Sequence, residues 1–175
     1  MHAVDAALEH AAIWSALADL SDPEIPVVSL SELGILRDVR TGADGTPEVV
    51  ITPTYSGCPA MGQIEDDVRT ALSNAGIAAR VVTQLAPAWT TDWMSGAARE
   101  KLRAYGIAPP QCGSGEHAGG NVLKFSRQPP RREAVPCPQC GSAHTTETSP
   151  FGSTACKAMY RCLDCLEPFD YFKPY

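Results

Sequence analysis

The sequence lacks the patterns that would mark it as an oxygen-activating enzyme or a membrane protein. It has no Glu-x-x-His pair of the kind that builds a di-iron centre, no glycine-rich phosphate loop, and only four histidines, which form no acid-base motif. No apolar run approaches a membrane span, and Asp5 and Glu9 lie where an export signal would need basic and then apolar residues. We therefore expect a cytoplasmic, non-catalytic protein that does not bind a membrane.

Positive charge is scarce in most of the chain. Residues 1–110 carry 14 acidic and 7 basic side chains, whereas residues 111–175 carry 6 acidic and 7 basic ones. An acidic surface repels a phosphate backbone, so this distribution argues against a nucleic-acid partner. A protein partner is expected instead.

Cysteine, by contrast, is abundant, with seven in 175 residues. Without an export signal, these thiols indicate metal sites more than disulfides. Cys137, Cys140, Cys162 and Cys165 form two Cys-x-x-Cys pairs, the spacing of a ribbon that binds one ion through four sulfurs. We predict structural zinc there, although a rubredoxin-like iron site has the same ligand set. Cys156 lies in the same segment and is either an alternative ligand or a free thiol.

Apolar periodicity predicts a small α+β fold. A first helix is expected over residues 5–19, then strands over 34–40 and 48–54 that form a hairpin, and a second helix over 59–74. A third strand over 80–86 and a third helix, which is capped by a Thr or Asp and ends near residue 105, complete the order α-β-β-α-β-α. We expect helices to cover one mixed sheet, with one of Trp89 and Trp93 in the core and the other at a partner interface. The predicted apolar face of the first helix comprises Leu8, Ala12, Ile13, Leu17 and Leu20.

A change in composition divides the chain. Residues 111–135 are rich in Gly, Pro, Ser and Arg, which predicts a linker between a body (residues 1–110) and a ribbon (residues 136–175). A short strand at 122–125 would interrupt this linker. Cys112, His117 and His144 could build another metal site, but each is more simply explained as a linker or surface residue.

A reactive thiol is predicted at Gly57-Cys58-Pro59. This pattern places Cys58 at the start of the second helix, with Pro59 at its favoured first position. Free amides and the positive end of the helix dipole would lower the thiol pKa and favour a nucleophile or a metal ligand. The alternative is a buried, inert cysteine. Asp22 and Glu24 flank a proline turn and could bind a hard metal, although such carboxylates more often cap and solvate a turn.

Long segments of the chain resemble known families. The body segments DPEIPVVSLSELGIL, TPTYSGCPAMGQIE and APAWTTDWMSGAAREKLRAYGIAPP resemble the SufT-like iron-sulfur assembly domain. The tail segments CPQCGS and FGSTACKAMYRCLDCLEPFDYFK resemble the PaaD (PaaJ) family of the phenylacetyl-CoA epoxidase system. This resemblance implies an accessory protein for the oxygenase that converts phenylacetyl-CoA to its ring epoxide in aerobic phenylacetate breakdown. It also implies that Cys58, Asp22 and Glu24 handle iron or an iron-sulfur cluster destined for the oxygenase or reductase subunits.

The ligand count leaves alternatives open. One Cys58 per chain cannot satisfy a cluster that needs four ligands, so a homodimer, Cys112 or a partner would supply the others. A second hypothesis is a structural subunit that docks on the oxygenase complex through its zinc ribbon. A third, a thiol redox enzyme acting through Cys137 and Cys140, is the least favoured, because bound zinc would quench those thiolates.

Overall fold

Helices and strands alternate as the sequence predicts. The computed structural model describes residues 2–111 and 134–175. The body contains α1 (His2–Leu17), β1 (Leu36–Thr41), β2 (Pro47–Ile51), α2 (Met61–Asn74), β3 (Arg80–Thr83), a short 3-10 helix (Thr91–Trp93), α3 (Gly96–Tyr105) and β4 (Ile107–Ala108). The ribbon contains β5 (Thr145–Ser149), β6 (Lys157–Cys162) and β7 (Pro168–Phe172). The α+β fold class is confirmed.

The first sheet has the order β1-β2-β3. β1 and β2 form the predicted antiparallel hairpin, and β3 then pairs parallel to β2. Glu48 on the central strand binds Arg40 at 3.0 Å and Arg80 at 2.9 Å, one on each neighbouring strand. These ion pairs span the outer face of the sheet and help fix its register.

The apolar face of α1 is only partly as predicted. Ile13 and Leu17 are fully buried in the core, but Leu8 is 67% exposed and Ala12 is also exposed. Residues 7–9 of α1 are exposed as well, so the packed part of its face begins at Ile13.

Helical spacing predicts an apolar face on α2 made of Ile64, Val68, Ala71, Leu72 and Ala75. Ile64, Val68 and Leu72 are buried, Ala71 is partly buried and Ala75 is exposed, so this face is largely confirmed.

Two helix starts differ from the prediction. α2 begins at Met61 rather than Pro59, because residues 55–60 form hydrogen-bonded turns that occupy the expected first turn. α3 begins after Ser95, whose hydroxyl accepts the N–H of Ala98, whereas Thr90 caps only the short 3-10 helix. The sequence also offers Thr and Asp, both common cap residues, just before this serine, so the cap was predicted one turn too early.

The two tryptophans occupy different environments. Trp89 is 4% exposed, and its indole N–H donates to the Leu33 carbonyl at 3.0 Å, so the prediction of one core tryptophan is confirmed. Trp93 is partly buried and lies under the Arg37 guanidinium, 3.5 Å from the ring centroid. A partner interface at Trp93 stays a prediction.

The second sheet joins the body to the ribbon. Its order is β4-β7-β6-β5, and β4 pairs parallel to β7 through Ile107 and Ala108. Phe172 at the end of β7 is 1% exposed in the body core, where its ring centroid lies 6.0 Å from that of Trp89. The ribbon therefore completes the hydrophobic core of the body, and the proposed boundaries at 110 and 136 stay predictions.

Some predictions fall outside the described residues. They are the strand at 122–125, most of the linker, and the possible ligands Cys112 and His117. Within residues 2–111 and 134–175, no helix is both long enough and apolar enough to cross a membrane.

Candidate metal centres

The four ribbon cysteines converge in space. The Sγ atoms of Cys137 and Cys165 are 3.7 Å apart, those of Cys140 and Cys162 are 3.6 Å apart, and all four lie within 4.8 Å of one another. A tetrahedral ion with metal–sulfur bonds of about 2.3 Å requires sulfur–sulfur distances of about 3.8 Å. The donor set and spacing therefore fit one zinc or iron ion with no further ligand.

Backbone geometry builds the two cysteine turns. The Gly141 N–H donates to the Cys137 carbonyl at 2.9 Å, and Gly141 has a φ of 76°. Leu166 has a φ of 66° at the equivalent place after the second pair, although it carries a side chain. The N–H groups of Cys165 and Asp164, offset in part by burial, lower the pKa of the Cys162 thiol to about 6. The Glu167 N–H opposes a shift in the other direction at Cys165, where burial and the neighbouring cysteine sulfurs raise the pKa to about 12.

A polar network ties the two turns together. Asp164, between Cys162 and Cys165, accepts a short hydrogen bond from the Ser142 hydroxyl and lies 3.0 Å from the His144 ring nitrogen. The Ser142 hydroxyl and His144 lower the pKa of Asp164. His144 thus pairs with a carboxylate at the edge of the four-cysteine centre.

Cys156 does not lie with the other ribbon cysteines. It is 9% exposed, and its side chain belongs to the body core rather than to the four-cysteine cluster. The prediction that Cys156 is an alternative ribbon ligand is therefore wrong for this structure, because the β5–β6 connection turns Cys156 toward the body.

Cys156 instead faces Cys58. Both thiols line one small cavity, together with Asp22, Glu24 and Thr154. We call this space, about 20 Å³ in volume, the Cys58 cavity. The structure thus brings together the three predicted body residues Cys58, Asp22 and Glu24, and adds a second sulfur from the ribbon.

Cys58 lies just before α2 and is partly buried. Burial raises the pKa of the Cys58 thiol, the amides of Ala60 and Met61 partly oppose this, and the nearby Asp22 charge adds to the increase. The prediction of a lowered pKa is therefore wrong for this conformation. The helix-start amides do act on the sulfur, but desolvation outweighs them.

Asp22 is 8% exposed and is held by the backbone of its own turn. Its Oδ1 atom accepts the N–H groups of Glu24 at 2.8 Å and Ile25 at 2.9 Å. Within residues 2–111 and 134–175, its Oδ2 atom accepts no hydrogen bond. Burial raises the pKa of Asp22, although these two amides oppose the shift. The carboxylate is thus fixed in place through its Oδ1 atom.

Sequence reasoning missed three neighbours of the two thiols. The Tyr55 hydroxyl acts on the Cys58 sulfur, and the Thr154 Oγ1 atom is 3.0 Å from the Cys156 sulfur. Lys157 is 4% exposed, and its ammonium group is 3.6 Å from Asp170. No periodicity signals these contacts, because they depend on how the ribbon packs against the body.

Ionisation of the buried Asp22 carboxyl should lower the free energy of unfolding as pH rises. Because its folded-state pKa lies above the ordinary value of 3.8, the folded state favours the protonated form, and this advantage is lost as pH rises through the folded pKa. We expect Asp22→Asn to gain stability relative to the native chain as pH rises from 3.8 through the folded pKa and to keep that gain at higher pH, measured as the urea midpoint at several pH values from about 4 to about 8.

Other charges near Asp22 bear on this trend. Glu24 raises and Lys157 lowers the pKa of Asp22. Burial, with a smaller contribution from Asp22, raises the pKa of the Cys58 and Cys156 thiols above their ordinary value of 9.0, so neither thiol ionises in this range. The exposed Asp19→Asn variant is the matched control and should show no such trend. Identical pH profiles for the two variants would contradict the prediction.

Known proteins share both parts of this chain. The family model described as "Iron-sulfur cluster assembly protein" matches residues 10–83, and the model described as "PaaD zinc beta ribbon domain" matches residues 124–173. A protein of Escherichia coli (strain K12), which is named as a putative subunit of 1,2-phenylacetyl-CoA epoxidase, is 50% identical over 162 residues. These residues make up 92% of this chain and 90% of that protein.

Two further similarities concern the body. An "Fe-S protein maturation auxiliary factor" of Porphyromonas gingivalis is 37% identical over 81 residues, which make up 45% of this chain and 76% of that protein. The crystal structure of a DUF59 domain from Bacillus anthracis superimposes with a TM-score of 0.51 at 28% identity, covering 57% of this chain and 96% of that domain. The body thus has the DUF59 fold, and the ribbon is an addition to it.

Proposed function

Because the chain belongs to the PaaD family of phenylacetyl-CoA epoxidase proteins, we propose that it is an accessory protein that matures the multicomponent phenylacetyl-CoA 1,2-epoxidase. It assembles or delivers iron or an iron-sulfur cluster in aerobic phenylacetate catabolism. It acts in the cytoplasm and does not itself catalyse the epoxidation. The Fe-S maturation factors among its relatives support this role.

One observation carries the proposal. Cys58 and Asp22, which come from separate loops, line the same cavity within the segment that matches the iron-sulfur assembly model. Cys58 is only partly buried, so its sulfur can exchange a metal with a partner. Incomplete ligation favours transfer, whereas the four-sulfur centre in the ribbon encloses its ion. We assign structural zinc to Cys137, Cys140, Cys162 and Cys165, and cargo handling to the Cys58 cavity.

The proposed partners are those that could supply the further ligands of a cluster bound at Cys58. A cluster at Cys58 needs cysteines from a second copy of this chain or from the recipient, and the oxygenase and reductase subunits of the system are the proposed recipients. The ribbon is their proposed docking surface. Its exposed apolar side chains suit that purpose.

The test is to produce the oxygenase in cells that contain Cys58→Ala in place of the native chain. We expect the purified oxygenase to lose at least about tenfold in activity, together with part of its iron, because no labile ligand remains for transfer. Met61→Leu is the matched control, because Met61 lines the same cavity and leucine conserves its volume. Equal iron content and full oxygenase activity with Cys58→Ala would refute the proposal.

A structural subunit is the second candidate function. The ribbon exposes four large apolar side chains, Phe151 at 61%, Leu166 at 58%, Met159 at 43% and Leu163 at 41%. Clustered apolar surface of this kind is typical of protein interfaces. A stable subunit would copurify with the oxygenase at fixed stoichiometry and be needed during turnover. If the oxygenase keeps full activity after this chain is removed, the structural role fails and the maturation role remains.

A further inference from the structure

We propose that a groove between the body and the ribbon binds an arginine-bearing segment of the oxygenase that receives the cargo. This inference rests on the proposed function and deepens it, because it locates the docking site and states the chemistry of the partner. We call this space, about 480 Å³ in volume, the junction groove. The residues that line it include Glu24, Tyr105, Ile107, Lys157, Met159 and Asp170.

Both parts of the chain build the junction groove. Tyr105 ends α3 and Ile107 begins β4 in the body. Met159 on β6 and Asp170 on β7 are paired in the ribbon sheet, and Asp170 also pairs with Ile107 where β7 meets β4. The groove therefore exists only while the ribbon is folded against the body, and a segment bound in it contacts both.

The junction groove is continuous with the Cys58 cavity. Glu24 lines both spaces, at the turn where Asp22 borders the cavity. A segment held in the groove therefore lies next to Cys58, the thiol that we propose to release cargo. Delivery by ligand exchange needs this proximity, because it makes the meeting of donor and acceptor ligands an event within one complex.

The charge of the groove favours a cationic side chain. Glu24 is exposed, and its carboxylate has no hydrogen-bond or ion-pair partner within residues 2–111 and 134–175. The Asp170 side chain is 32% exposed and lies 3.6 Å from the Lys157 ammonium, whose own side chain is only 6% exposed. One buried ammonium offsets one of the two carboxylates, so a negative charge remains for the partner.

An arginine fits this surface better than a lysine does. Its planar guanidinium binds carboxylates through paired N–H donors and also stacks on aromatic rings. Tyr105 supplies an exposed ring, and Met159 supplies exposed apolar surface for the methylene groups of the arginine and for its apolar neighbours. Tyrosine and methionine are both enriched at protein interfaces. The acidic excess of residues 1–110 would attract such a segment from a distance.

Lys157 favours a peptide segment over a metal ion as the occupant. The distance of 3.6 Å from its Nζ atom to Asp170 exceeds the length of a hydrogen bond, so the ammonium can also donate to a backbone carbonyl in the groove. A doubly charged ion would be repelled by this ammonium. A peptide segment offers a carbonyl to Lys157 and a guanidinium to Glu24 at the same time.

Binding of the purified oxygenase tests the groove. The oxygenase is isolated from cells that lack this chain, and the zinc-loaded, iron-free chain is titrated onto it, so that docking is measured apart from cargo transfer. We expect Glu24→Gln to weaken binding at least about tenfold, because it removes the unpaired carboxylate, and Tyr105→Ala to weaken it at least about threefold. Glu100→Gln is the matched control and should keep native affinity, because Glu100 is an exposed glutamate that does not line the groove.

Photocrosslinking identifies the occupant. With p-benzoylphenylalanine incorporated at Met159, we expect the chain to crosslink to an oxygenase peptide that contains an arginine. Reversal of the charge on both sides then tests the contact itself. Glu24→Arg should abolish binding, and exchange of that arginine for glutamate in the oxygenase should restore it, because the ion pair is rebuilt with opposite polarity.

Failure of this inference and failure of the proposed function give different results. Native affinity in both Glu24→Gln and Tyr105→Ala, or no binding of the oxygenase by the native chain, would refute the groove as the docking site. Crosslinks to a second copy of this chain, or to a peptide without arginine, would refute the occupant. The proposed function fails instead if Cys58→Ala leaves the iron content and activity of the oxygenase unchanged. Retained zinc stoichiometry and circular dichroism show that each variant is folded.

Discussion

Removal of the metal from the four-cysteine centre is expected to unfold the ribbon and, through it, to expose Cys58. A structural zinc site contributes about 10–16 kcal/mol of binding free energy, which is folding free energy in such a small element. Unfolding of β6 and β7 withdraws Cys156 and Phe172 from the body core. The wall of the Cys58 cavity that the ribbon supplies is then lost, and the partly buried thiol becomes fully accessible.

Thiol alkylation measures this effect. Under native conditions, Cys58 in the metal-loaded chain should react slowly, because its thiol is partly buried and its pKa is raised by burial. After chelation, mass spectrometry should find Cys58 and Cys156 alkylated at least about tenfold faster, and added zinc should restore protection. Cys137→Ser should reproduce the effect of the chelator. Native protection of Cys58 in a chain whose ribbon has lost its metal and its β structure would show that the body closes the cavity alone.

The spacing of the sequence predicted local features well. The Cys-x-x-Cys pairs, the β1–β2 hairpin and the buried face of α2 are all set by residues close together in the chain. The resemblance located the family, and the two family models match the same two parts of the chain. Patterns within short stretches of sequence are therefore enough to predict most helices and strands and the four clustered cysteines of the ribbon.

Long-range packing accounts for what the sequence did not predict. Cys156 lies in the ribbon segment, which left it as either an alternative ligand or a free thiol, and the structure packs it as a free thiol against the body. The pKa of Cys58 was predicted from the helix start, but burial by distant segments decides its direction. β4 has only two residues and is recognisable only through its pairing with β7. In each case the deciding partner is remote in the chain.

Contact between body and ribbon also predicts one folding unit. Phe172 belongs to the ribbon strand β7 but is 1% exposed in the body core, packed against Trp89. The β4–β7 pairing continues this contact through the backbone, and the Thr91 N–H donates to the Tyr175 carbonyl at 3.2 Å. A substitution in the ribbon should therefore lower the stability of the body.

Phe172→Ala is expected to lower the free energy of unfolding by about 3–5 kcal/mol, because it leaves a cavity in the body core. Urea unfolding followed by tryptophan fluorescence reports the body directly, since Trp89 contacts the deleted ring. Phe151→Ala is the matched control: its ring is 61% exposed, so its loss should cost about 0.5 kcal/mol or less. A body transition unchanged by Phe172→Ala, with only the ribbon destabilised, would contradict a shared core. It would also weaken the case that the ribbon positions Cys156 beside Cys58.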